Sequence, residues 1–502
     1  MLFYRKCSRI TQLIDERTQM IKYNKVEDYM NLPLVLKQGG NNNAAWKWML
    51  ATLFLSQMFP EYIAPFFTLI GFVVMKVSFK KNGQKVRMDS FGKYEFIFLA
   101  FYLFTSVYSN TKIYSALIAL LWMGMCLGQL MMANLINTEE KLKTAMKFFT
   151  VSAFILSIIG CIQSVSNMLI DNGIITRGFP NPLTGPIDNA FYDFLVDKFG
   201  ITIKDYVDDT RAMGTYSNPN LFVSFLICAA PFAFHFFLNG ESRRERIFYG
   251  IVSVTICAGA AVTQTRGAMI ALIISIIFLF LTNKKYFKKI FVMLAGFICF
   301  IPALLSRYYE QLVPYLNEFT YITQSGNVIN VTMDYSLSVR VKLYTNLLEY
   351  IFSHFGILFF GLGAGVENVY SLLKNELKID VPHAHSILLE LWAESGLIGL
   401  ALFLLAGGIL FVNLVRTIKM SEKGRSVAFT VLASLMAFFI MGLTDFIVCS
   451  PKILQVMFLV LGFAQATYRI YQGRWENDKV LKTNMENSKE FITVNADSAP
   501  EQ

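Results

Sequence analysis

The feature that most restricts this chain is a series of apolar blocks separated by short charged segments. A bilayer core takes roughly 20 apolar residues per helix, and the blocks run to about 16–25 residues each. They fall near 45–58, 61–78, 94–109, 112–136, 147–170, 219–238, 247–264, 267–283, 289–306, 393–416, 426–447 and 452–470. The expected fold is therefore an all-α polytopic membrane protein of about twelve transmembrane helices. Composition agrees: 55% of residues are hydrophobic, against about 45–50% apolar in soluble domains. A β-barrel would show shorter alternating segments, and none are visible.

Basic residues orient the helices. The segments 79–93, 240–246, 284–289 and 416–425 are rich in Lys and Arg, and counting spans puts all of them on one side. By the positive-inside bias that side is cytoplasmic, as are both termini. The net charge of +10 is read as this bias and not as a nucleic-acid surface, so no nucleic-acid partner is expected. Residues 1–43 form a charged cytoplasmic arm with no apolar run of the signal-peptide kind. Spans one to nine occupy 44–306, the last three occupy 393–470, and 471–502 is a polar, disordered cytoplasmic tail. Six of the seven cysteines lie in or beside apolar runs, where cysteine is usually a small core residue, so neither a disulfide framework nor a metal cluster is expected.

The opposite face receives two long connections. The first, 171–218, carries four basic and seven acidic side chains. The second, 307–392, is too long to be structureless. Within it Val339, Leu343, Leu347 and Ile351 recur at helical spacing, which predicts an amphipathic helix over 338–352 lying on the bilayer surface.

Polar candidates gather on this face. Arg211 opens the run RAMGTYSNPN, Arg266 sits in TQTRGAM within a tight turn between two spans, and Arg340 sits in SLSVRVK. A charge within a membrane hairpin is costly and is retained for function or as an anchor at a helix end. PHAHS, 382–386, places His383, His385 and Ser386 just before an apolar run, followed by Glu390 and Glu394 at helical spacing. A His-x-His pair without nearby cysteine is a poor zinc motif. The two glutamates keep a metal site open as an alternative, but no metal is expected. Gly361–Gly365 (GLGAG) lacks the strand-then-helix setting of a phosphate loop and is read as a turn back to the membrane. Converging guanidinium groups suit phosphate oxygens, so the face is read as an anion site reached from the membrane.

Taken together, these motifs resemble the O-antigen ligase and Wzy-type polysaccharide polymerase superfamily. His385–Ser386, nine residues and Gly396 are similar to its His-(Asn/Ser/Gln)-x9-Gly signature. TQTRGA is similar to its Thr-x-Ser-Arg-Gly element, SLSVR followed by GLGAG to its second arginine element, and YSNPN to its Asn-Pro-Asn element. Two departures stand out: Thr265 replaces the usual serine, and Gly396 is followed by Leu397, Ile398 and Gly399 where the ligase branch often has Gly-x-x-Thr or Gly-x-x-Tyr.

The resemblance implies transfer of a glycan from a polyprenyl diphosphate to an acceptor hydroxyl on the extracytoplasmic face of the bacterial cytoplasmic membrane, without cofactor or metal. It implies a fold similar to multispanning lipid-sugar glycosyltransferases. It implies His385, Arg266 and Arg340 as catalytic residues, with Arg211, Asn218, Asn220, Ser386, His383 and Glu390 binding substrate. The expected activity is a polymerase of lipid-linked repeat units, as in a capsule, exopolysaccharide, O-antigen or teichuronic-acid-like chain. A ligase acting on lipid A core or protein is the alternative. A flippase or transporter is a further one, although such proteins hold their polar groups near the midplane. Expected partners are the lipid-linked glycan, membrane lipid, and the flippase and chain-length regulator of an assembly complex.

Overall fold

The computed structural model describes residues 42–171, 211–282, 317–322, 328–333 and 335–472. The expected ninth span, most of the 171–218 connection and nearly all of the terminal arm and tail lie outside these residues. Helices occupy the other eleven apolar blocks. They are α1 (Asn43–Leu55), α2 (Ala64–Lys81), α3 (Ser90–Phe104), α4 (Lys112–Leu135), α5 (Glu139–Asp171), α6 (Pro219–Asn239), α7 (Arg243–Ala261) and α8 (Arg266–Leu281). After the second connection come α12 (Ile387–Met420), α13 (Glu422–Thr444) and α14 (Pro451–Gln472). Among the described residues α4, α5, α6, α12, α13 and α14 are long and apolar enough to cross a membrane. The remaining five are shorter or more charged.

The second connection folds into its own small module. It contains strands β1 (Asn317–Ile322) and β2 (Val328–Met333), then α9 (Tyr335–Ser353), α10 (Phe355–Phe360) and α11 (Val366–Asn375). The strands pair antiparallel, with Asn317 opposite Met333 and Ile322 opposite Val328. The bundle is helical, as expected; the hairpin is confined to the connection, which was read only for helical spacing. Its residues are rich in Thr, Val and Ile, whose branched Cβ suits extended backbone, and the block is too short to have marked itself as a membrane strand.

The expected placement of α9 on the bilayer surface is corrected. Its stripe of Leu343, Leu347 and Ile351 is buried, but against Val369, Leu372 and Leu373 of α11 and Leu389 and Ala393 of α12, not against lipid. Two amphipathic helices close enough to cover each other's apolar faces have no need of the bilayer for it.

At the centre of the bundle stands α6. It is apolar all round, and 18 of its 21 residues are buried, as expected for a helix enclosed on every side. Helices α5, α7, α8 and α13 pack on it. Its start is fixed by Asn218, whose side chain caps the backbone N–H of Asn220, with Pro219 at the first helical position. The starts of α6, α8, α12 and α14 and the end of α13 meet at one end of the bundle.

The helix after the histidines is broken. Gly396 has φ 65° and ψ −175° inside α12. A Cβ there would lie 2.2 Å from the backbone of Phe359, the residue before the end of α10. Glycine is required twice over, for the backbone angle and for the approach of another backbone. The break would orphan carbonyls at the end of the first segment, and the following loop satisfies them. The N–H groups of Leu362 and Gly363 donate to the carbonyls of Ala393 and Glu394, each at 2.8 Å. GLGAG is thus a turn, as expected, with two of its amides spent on a helix end and not on a phosphate.

Candidate active site

The site is built on a single carboxylate that the sequence reading missed. Asp445 ends α13, with 6% of its surface exposed. Its Oδ1 accepts from Nδ1 of His385 at 3.0 Å and from the backbone N–H of Phe446 at 2.9 Å. Its Oδ2 accepts from Nδ2 of Asn220 at 2.8 Å. Burial opposes the charge, but the bond to His385, the neighbouring His383 and the Asn220 amide outweigh it and hold the carboxyl well below its usual range. An ionised carboxylate only accepts, so Nδ1 of His385 carries the proton. Nε2 is then the lone-pair nitrogen, the form a general base needs.

The histidine turn is held from three directions. Tyr344 on α9 donates its hydroxyl to the carbonyl of His385 at 2.8 Å. The carboxylate of Glu390, fully buried on the first turn of α12, accepts the backbone N–H of Ala384 at 2.5 Å. His383 accepts the backbone N–H of His385 on its Nδ1 at 3.2 Å. These restraints hold His385 at φ 46°, a left-handed angle uncommon for a residue with a Cβ.

The ring nitrogens of His383 and His385 and a carboxylate oxygen of Asp445 lie within 4.8 Å of one another. Spacing alone would admit a metal, yet the hydrogen bonds speak against it. With Nδ1 accepting from a backbone N–H, neutral His383 is protonated on Nε2, the atom facing Asp445 at 3.9 Å. Burial, opposed by Asp445, pushes His383 down to about 4, so the neutral form prevails near neutral pH.

A second group of side chains continues from Asn220. Its Oδ1 accepts from the guanidinium of Arg211 at 3.0 Å and from the hydroxyl of Thr265 at 3.0 Å. Arg211 also donates to the Thr265 hydroxyl at 2.7 Å and to the Thr263 carbonyl at 2.7 Å. The guanidinium thereby ties the YSNPN loop to the TQTR turn. Arg266, the next residue, opens α8 with its side chain exposed. Gly267 after it lies against Thr444, beside Asp445; a Cβ there would meet the Thr444 hydroxyl at 2.5 Å. Arg340 stands one turn before Tyr344 on α9, partly exposed, and its charge acts on both Tyr344 and His383.

Below the YSNPN loop sits a buried clasp. Lys452 at the start of α14 is fully buried; its ammonium donates to the carbonyls of Phe59 and Thr215 and lies 3.9 Å from the centre of the Tyr216 ring. The Glu61 carboxylate accepts from the Ser217 hydroxyl and backbone N–H and from the Ser450 hydroxyl. The turn at Pro60–Glu61, between α1 and α2, is therefore also a structural anchor for the loop that carries Asn220.

The expected site residues divide by position. His385, His383, Asn220 and Arg211 join one hydrogen-bonded system with Asp445, and Arg340 and Arg266 border it. Asn218 and Ser386 stand at the N-cap positions of α6 and α12, and Glu390 is buried behind the turn, bonded to the backbone N–H of Ala384. Asp445, Tyr344 and Thr263 were not singled out from the sequence. Asp445 did leave a signal: a carboxylate inside the apolar block 426–447 is expensive unless it has a task.

No curated protein matches the chain. Residues 251–404 match the family model described as O-antigen ligase, a stretch that runs from α7 to the first half of α12 and contains Arg266, Arg340, both histidines and Gly396. Arg211, Asn220 and Asp445 lie outside the matched stretch and join the site through the fold. Over that stretch the chain is similar to the O-antigen ligase and Wzy-type superfamily, and the apolar helices around it mark a membrane protein.

Proposed function

We propose that the protein is a polymerase that joins polyprenyl-diphosphate-linked repeat units into a surface polysaccharide, acting on the extracytoplasmic face of the cytoplasmic membrane. The observation that carries this reading is the His385–Asp445 pair bordered by Arg266 and Arg340. In the reaction, Nε2 of His385 takes the proton of the acceptor hydroxyl, whose oxygen forms the new bond to the anomeric carbon of the donor. The anomeric C–O bond to the diphosphate breaks, and its electron pair leaves with the phosphate oxygen. Arg266 and Arg340 neutralise that charge; fixed donors of this kind are usually the largest catalytic term. Asp445 stabilises the imidazolium, and base assistance of this sort contributes roughly 10²–10⁴-fold. Arg211 and Asn220, already bonded internally, position Asp445 and the Arg266 turn.

The family model's description favours a ligase as the second reading. The polymerase reading draws support from position 399. A Cβ added to Gly399 would lie 2.1 Å from the Ser395 hydroxyl and 3.3 Å from the Phe101 ring, which leaves no room for the Thr or Tyr often found there in the ligase branch.

His385→Ala in the native host tests both readings. Loss of polymerisation leaves single lipid-linked repeat units to accumulate; loss of ligation leaves long polymer on the lipid carrier. Normal surface polysaccharide in a variant that is expressed and inserted would sink the transferase reading.

A further inference from the structure

The small module between α8 and α12 includes one segment whose chemistry does not suit water. Residues 350–366 contain no Asp, Glu, Lys or Arg and four phenylalanines. Within it α10 has no buried residue. Phe355 is 73% exposed, Phe352 just before it 62% and Phe360 45%. Elsewhere in this module apolar stripes are covered: α9 and α11 hide theirs against each other.

The position of α10 says what covers it. Its backbone fills the break at Gly396, against a helix long and apolar enough to cross the membrane. The next residue of that helix, Leu397, is exposed, as are Leu404 and Leu405 further along. On the other side, the Tyr108 hydroxyl donates to the carbonyl of Phe360. Tyr108 closes the turn after α3, whose Phe104 and Val107 are exposed as well. The α10 face is thus continuous with the outward apolar surfaces of α3 and α12. Those surfaces face acyl chains in a membrane-spanning bundle. At the rim, Trp392 donates its indole N–H to the carbonyl of Leu358 and packs on Phe352 at 5.5 Å, an aromatic arrangement suited to the headgroup boundary.

We propose that α10 is a membrane-embedded wedge, with Phe352, Phe355 and Phe360 among the lipid chains of the leaflet that borders the active site. The lipid contact assigned from sequence to the stripe of α9 belongs to α10 instead. α10 is continuous with α9, which carries Arg340 and Tyr344. It also abuts the break at Gly396, ten residues beyond Ser386, in the helix that the histidine turn begins. Its immersion therefore fixes the depth of the histidine turn and of Arg340 relative to the membrane surface.

The test uses the full-length protein in cell membranes. A photo-reactive benzoylphenylalanine is placed at Phe355 and, as the control within the same module, at exposed Glu376. Irradiation is expected to yield a phospholipid adduct by mass at 355 and none at 376. Absence of a lipid adduct at 355, or an adduct to another polypeptide, overturns the proposal. Independently, Phe355→Cys is expected to label with a membrane-impermeant maleimide at least ten-fold more slowly than Glu376→Cys, each corrected for the parent protein. Equal rates overturn it. Neither readout uses glycan transfer, so failure of the polymerase reading leaves this result interpretable.

Discussion

Because Oδ1 of Asp445 accepts from Nδ1 of His385, exchanging the carboxylate for an amide has two effects at once. It removes the charge that stabilises the imidazolium, and it lets the ring adopt the wrong tautomer. Asp445→Asn is expected to lower kcat by about 10²–10⁴-fold with little change in KM. Asp445 itself is held well below the usual range and His383 sits at about 4, so neither titrates near neutrality. A purified Asp445→Asn variant that keeps the parental kcat would separate Asp445 from the histidine. At this scale the sequence was legible where motifs are local: His385, Arg266 and Arg340 stand in short patterns. Asp445 lies 60 residues from His385, and Tyr344 is one tyrosine on an amphipathic helix. Only the fold reveals that both touch the same residue.

At the scale of elements, the distance from His385 to Gly396 acquires a cause. The nine residues between Ser386 and Gly396 form the first segment of α12, closed at one end by the histidine turn and at the other by the break against α10. Glu390 lies on that segment and reaches back to the turn. Gly396→Ala is expected to lower thermal stability in detergent, since a strained φ alone costs of order 1–3 kcal/mol and the Cβ has no space. Transfer should fall at least as far, because the turn rides on the displaced segment. A melting temperature and an activity both equal to the parent's would show that the break is not needed. The break was not legible beforehand: nothing in ESGLIG distinguishes a kink glycine from one tolerated within a helix, since the clashing backbone comes from Phe359, 37 residues earlier. The β-hairpin escaped for a related reason, being two six-residue strands inside a connection read only for helical spacing.

For the whole molecule, the expected orientation puts the site outside and both termini inside. A cysteine at exposed Glu376, in the module, should label with an impermeant reagent in intact cells, whereas one at exposed Glu241, between α6 and α7, should label only after permeabilisation. The reverse pattern would move the site to the cytoplasmic face and remove the case for an extracytoplasmic polymer. The sequence by itself determined that the chain is a helical membrane protein, where its apolar blocks lie and which arginines and histidines are costly to keep. Hydropathy and local spacing suffice for these because each is a property of consecutive residues facing one solvent. The tertiary structure alone decided that the end of α13 delivers a carboxylate to His385, and that Arg211 and Asn220 brace it through the TQTR turn. It also decided that the Leu343, Leu347 and Ile351 stripe of α9 is covered within the module while α10 has no buried residue. Each of these depends on which helix ends meet, and that is settled by packing around α6 between residues far apart in the chain.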